Sequence, residues 1–60
     1  MQININLGTY ELDIFQNSDN IIYIELIDTY NHKIEVHKEI TKEQVKILVD
    51  KLHEFYDNLN

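Results

Sequence analysis

The sequence predicts an α+β domain: a four-stranded antiparallel β-meander with one C-terminal α-helix packed on one face, in the order ββββα. Three observations predict it. The last third, Ile40 to Leu59, repeats apolar residues with a helical period. The first two thirds hold four short runs with period-two alternation. Polar or glycine-containing breaks separate those runs.

The first two runs span about residues 2–7 and 10–15. Ile3, Ile5 and Leu7 fall on one side of the first; Tyr10, Leu12 and Ile14 are in phase in the second. The only glycine, Gly8, stands between them. A two-residue Gly8-Thr9 loop fits a type II′ hairpin, whose first turn residue needs a positive φ. That register sets Leu7 opposite Tyr10, Ile5 opposite Leu12 and Ile3 opposite Ile14, so every inner pair is apolar.

Residues 16–20, Gln-Asn-Ser-Asp-Asn, read as a turn. The third strand covers about residues 21–28, with Ile22, Ile24 and Leu26 inward. A turn at Thr29-Tyr30-Asn31 follows, with Asn31 suited to the left-handed conformation. The fourth strand covers about residues 32–38, with Ile34 opposite Leu26 and Val36 opposite Ile24. Short connections favour the meander.

The helix covers about residues 42–59. Thr41-Lys42-Glu43-Gln44 fits a capping box, with Ile40 and Val45 at the staple positions. Val45, Leu48, Val49, Leu52, Phe55, Tyr56 and Leu59 form one apolar stripe. At about 1.5 Å per residue such a helix spans about 27 Å, enough to cross a small sheet. The expected core is this stripe with Ile3, Ile5, Leu7, Tyr10, Leu12, Ile14, Ile22, Ile24, Leu26, Ile34, Val36 and Ile40.

Sixty residues make a single domain, 1–60, near the size where burial becomes marginal. There is no Cys, so stability must come from dense packing or self-association. The longest apolar run is far too short for a membrane span. No basic stretch leads into an apolar core near Met1, so the expected location is the cytoplasm.

Net charge is −6 and there is no Arg. A phosphate-tracking surface needs clustered cations, so direct nucleic-acid binding is not expected. A basic protein partner suits such a chain. Frequent Ile, Asn, Lys and Tyr, all with AT-rich codons, hint at a low-GC bacterium or its mobile elements.

Catalytic chemistry is poorly supplied. His32, His37 and His53 form no HExxH pattern, and the one serine, Ser18, sits in a turn. His53 and Asp57 are i, i+4, a spacing that serves a weak surface pair better than a metal corner. No glycine-rich phosphate loop exists. Neither enzyme activity nor a cofactor or metal is expected.

Two surfaces are candidates for partner binding. On the back of the helix Glu43, Asp50, Glu54 and Asp57 share a sector around Ile47. It reads either as a solvated face with one stray Ile or as an apolar anchor ringed by carboxylates. On the outer sheet face Phe15, Ile21, Tyr23 and Ile27, with Tyr30 nearby, interrupt an otherwise polar set of Asn4, Asn6, Glu11, Asp13, Glu25, Lys33, Glu35 and His37. They read either as a protein-binding or homodimer patch, or as a long twisted strand covered by chain ends.

In size, residue usage, lack of Cys and acidic faces (Glu43, Asp50, Glu54, Asp57 and Glu11, Asp13, Glu25) the chain resembles the small inhibitors that phages and mobile elements direct against host nucleases, DNA-repair enzymes and CRISPR effectors. The resemblance is one of style across the whole chain. It implies occlusion: carboxylates spaced like phosphates occupy a basic channel, and Ile47 or Tyr23 anchors the complex. The other reading is a structural, assembly or antitoxin-like module that binds one dedicated protein through the apolar residues of the outer sheet face.

Overall fold

Alternation and turn chemistry build the sheet. The computed structural model describes residues 1–60. Strands β1 (Gln2–Asn6), β2 (Tyr10–Gln16), β3 (Ile22–Asp28) and β4 (Lys33–Ile40) precede helix α1 (Lys42–Asp57). The strands form one open sheet in the order β1-β2-β3-β4, every pair antiparallel. This is the predicted ββββα architecture.

The first hairpin has the expected register, with Ile3 opposite Ile14 and Ile5 opposite Leu12. The Leu7 amide donates to the Tyr10 carbonyl at 2.7 Å, closing the Gly8-Thr9 loop. Gly8 takes φ +86°, the left-handed conformation that glycine adopts at no steric cost. In the second turn the Asn17 carboxamide oxygen accepts from the Asp19 and Ile21 amides at 3.0 and 2.9 Å, and Asn20 takes φ +64°.

The third turn differs from expectation. His32, and not Asn31, takes the left-handed conformation, at φ +53°. Asp28 organises this turn: its carboxylate accepts from the Tyr30 and Asn31 amides at 3.0 and 3.1 Å and from the Asn31 side chain at 2.7 Å. These bonds, the Asn31 side chain foremost, hold the Asp28 carboxyl below its ordinary pKa. The Thr29 hydroxyl donates to the Thr9 carbonyl at 2.8 Å and ties this turn to the first.

The register of β4 is also corrected. Leu26 faces Val36, Ile24 faces Lys38 and Ile22 faces Ile40. A bulge between Leu26 and Ile27 lets Ile34 face Ile27, so Ile34 leaves the inner row. The observed register avoids one like-charge pair. The expected register set Glu25 opposite Glu35; the observed one sets it opposite His37.

The capping box at Thr41 forms as predicted. The Gln44 amide donates to the Thr41 hydroxyl at 3.0 Å, and the Thr41 amide donates to the Gln44 side chain at 2.8 Å. The helix ends at Asp57 with Asn58 as its cap, two residues short of the expectation.

The expected core does not close, because the helix does not lie over the sheet. Only Val45 and Leu48 of its stripe are half-buried; Val49, Leu52, Phe55, Tyr56 and Leu59 are exposed. Val45 joins Met1, Ile3, Ile14, Phe15, Gln16 and Ile22 around an open apolar hollow at one end of the sheet. Ile3, Ile5, Leu7, Tyr10, Ile34 and Val36 are exposed, and no apolar side chain is fully buried. Thr41 alone separates β4 from α1, in an extended conformation of φ −91° and ψ 162°, and only the first two turns of the helix meet the sheet.

Candidate protein-interaction site

Strand parity and register sort the sheet into rows that cross all four strands. On the inner face run Ile3–Ile14–Ile24–Lys38 and Ile5–Leu12–Leu26–Val36. On the outer face run Asn4–Asp13–Glu25–His37, flanked by Gln2–Phe15–Tyr23–Glu39 on one side and Asn6–Glu11–Ile27–Ile34 on the other.

The central outer row is a polar chain. Asp13 and Glu25 lie directly opposite each other, a pairing of like charges that is unfavourable unless compensated. Both are compensated. The Asn4 side-chain amide donates to Asp13 and also to Glu11, the latter at 3.2 Å. His37 Nδ1 lies 2.6 Å from Glu25 Oε2, within hydrogen-bond distance. Asp13 is among the two most buried residues of the chain, at 9 % exposure.

An aromatic ladder adjoins that row. The rings of Phe15 and Tyr23 stack with centroids 5.5 Å apart, and Tyr23 stacks on His37 at 5.0 Å. Stacking at these separations stabilises the pairs beyond area burial alone. Phe15 and Tyr23, predicted together on the outer sheet face, stack directly on each other. His37 completes the ladder. Its parity put it on the right face, but only the observed register brings it to Glu25.

Ile27 belongs to the outer row with Glu11, and Ile21 lies just before β3 at the far end. Tyr30, at a loop tip, is 80 % exposed. The helix residues form a separate surface. Ile47 is exposed, and two of its four surrounding carboxylates have lysine partners: Lys46–Asp50 at 2.9 Å and Lys51–Glu54 at 3.5 Å. Such exposed pairs contribute little to stability. Glu43 and Asp57 complete the sector as exposed side chains.

No group of three or more His, Asp or Glu side chains is arranged to hold a metal ion. No helix is long and apolar enough to cross a membrane. No protein-family model, curated protein or solved structure matches the chain.

Proposed function

We propose that this chain is a small acidic protein-binding inhibitor that occupies the basic surface of a nucleic-acid-binding protein. One observation carries the reading: the outer sheet face holds a row of oriented carboxylates beside a stacked aromatic ladder. Arginine guanidinium groups pair with carboxylates in a fork geometry and stack on aromatic faces, so a surface offering both suits an arginine-rich partner. Preorganised side chains lose little entropy on binding. The helix back, with Ile47 among Glu43, Asp50, Glu54 and Asp57, offers a second acidic contact. A partner of this kind belongs in the cytoplasm of a bacterial host, where a phage or mobile element would deploy such an inhibitor.

A dedicated assembly or antitoxin-like partner is the second reading, and the Phe15–Tyr23 ladder favours it if the contact is mainly apolar. Salt separates the two. The test is tagged capture from a low-GC bacterial lysate at low and at physiological salt, with wild type beside Glu25→Gln and Tyr23→Ala. The inhibitor reading expects a basic protein whose retention falls with salt and with Glu25→Gln. Retention that resists salt and Glu25→Gln but vanishes with Tyr23→Ala would move the assignment to the assembly module.

A further inference from the structure

The inner sheet face and the distal helix stripe are two halves of a core that one copy leaves open. The chain exposes 5219 Å². The scaling for a folded monomer of 7.2 kDa gives about 4100 Å². The excess is about 1100 Å² per copy, or about 2200 Å² for two, the size of an obligate homodimer interface. The radius of gyration agrees: 12.8 Å, against about 10.4 Å for a compact chain of this length.

We infer that two copies exchange helices, the distal stripe of α1 in each lying over the inner sheet face of the other. The lengths fit. From Val49 to Tyr56, the last stripe residue within α1, the stripe spans about 10 Å at 1.5 Å per residue, enough to cover the two central strands and reach toward an edge. The sheet measures about 14 Å from β1 to β4 at about 4.8 Å per strand spacing. After the one-residue Thr41 connection only the first two turns of the helix meet its own sheet, and a short hinge of this kind promotes exchange between identical chains. Charge placement fits as well. At 100° per residue, Lys42, Lys46, His53 and Lys51 border the stripe, while the carboxylates lie on the far side of the helix and stay in water. The sheet edges are the poorer route to association. Strand β1 is short, and β4 carries a bulge, Lys33, Lys38 and Glu39. This inference uses the inner face and stands apart from the outer-face reading above.

Sedimentation equilibrium of the full chain tests it. The expected mass is twice 7.2 kDa at micromolar concentration. Association should tighten with salt, because each copy carries −6. Helix variant Leu52→Lys/Phe55→Glu should weaken the dimer by about a hundredfold or more, since it drives charge into an apolar interface. Sheet variant Ile5→Lys/Val36→Lys should do the same. Mixing the two should restore a dimer, because one intact helix then meets one intact sheet face. If circular dichroism shows the sheet variant unfolded, labelled wild type at trace concentration replaces it and should bind excess helix variant. A wild-type monomer at about 100 µM, a dimer indifferent to the helix variant, or a helix variant that neither mixture rescues would overturn the exchange.

Discussion

The two faces of this sheet come from the same four strands and behave differently. On the outer face long polar and aromatic side chains cover one another. Asn4 lies against Asp13, His37 against Glu25, and Tyr23 is stacked between Phe15 and His37. That face reaches its lowest exposure at Asp13, without any second layer. On the inner face Leu12, Ile14, Ile24 and Leu26 of the central strands are half-buried, while the edge-strand residues Ile3, Ile5 and Val36 stay exposed. Side chains on the edge strands have a neighbour on one side only, so the apolar face needs a layer laid over it, whereas polar side chains at the edges of the outer face can stay in water.

The most forceful way to break this contrast is Phe55→Ala. The ring is 65 % exposed in the single chain, where truncation should change stability by less than about 0.5 kcal/mol. If the ring is buried against a second copy, the loss should be about 3 kcal/mol and depend on protein concentration. Urea unfolding at two concentrations distinguishes these outcomes.

A smaller effect is expected at Gly8, which keeps the faces distinct by fixing the β1–β2 register. A one-residue slip would exchange the faces of β1. A Cβ at Gly8 meets no atom within 4 Å, so the penalty of Gly8→Ala comes from φ +86° alone, about 1–2 kcal/mol. A stabilising outcome in thermal unfolding would show that the turn relaxes to another conformation.

The subtlest effect is visible only in acid. The folded-state pKa of Asp28 lies below its ordinary value of 3.8, so its charged form is favoured by folding. That stability is present above about pH 3.8 and is lost as pH falls through the lowered folded value. Wild type should therefore exceed Asp28→Asn in stability at neutral pH, with the gap narrowing below pH 3.8. A gap that stays constant down to pH 2 would remove Asp28 from the account of the third turn.

Much of the fold was legible in the sequence because its signals were local. Gly8 between runs of switched parity specified a hairpin, and Thr41 with Gln44 specified a helix start. The site was legible by face but not by contact. Alternation placed Asp13, Phe15, Tyr23, Glu25 and His37 together, whereas the pairing of His37 with Glu25 depends on a bulge in β4 that no residue announces. One signal was available: the expected register opposed Glu25 to Glu35, and a shift of two residues replaces that repulsion with His37. The packing of α1 was not legible at all. A helical period tells which side of a helix is apolar and not what covers that side.

The most direct test of the account is an isotope-filtered NMR experiment on an equimolar mixture of labelled and unlabelled chains. The account predicts intermolecular contacts from the Phe55 and Tyr56 rings to the methyl groups of Ile5, Leu12 and Ile24. It predicts none from those rings to the outer-face residues Ile27 and Tyr23. Contacts from Phe55 to Ile24 within one chain only, or no contact between chains at millimolar concentration, would contradict it and return the helix to its own sheet or to solvent.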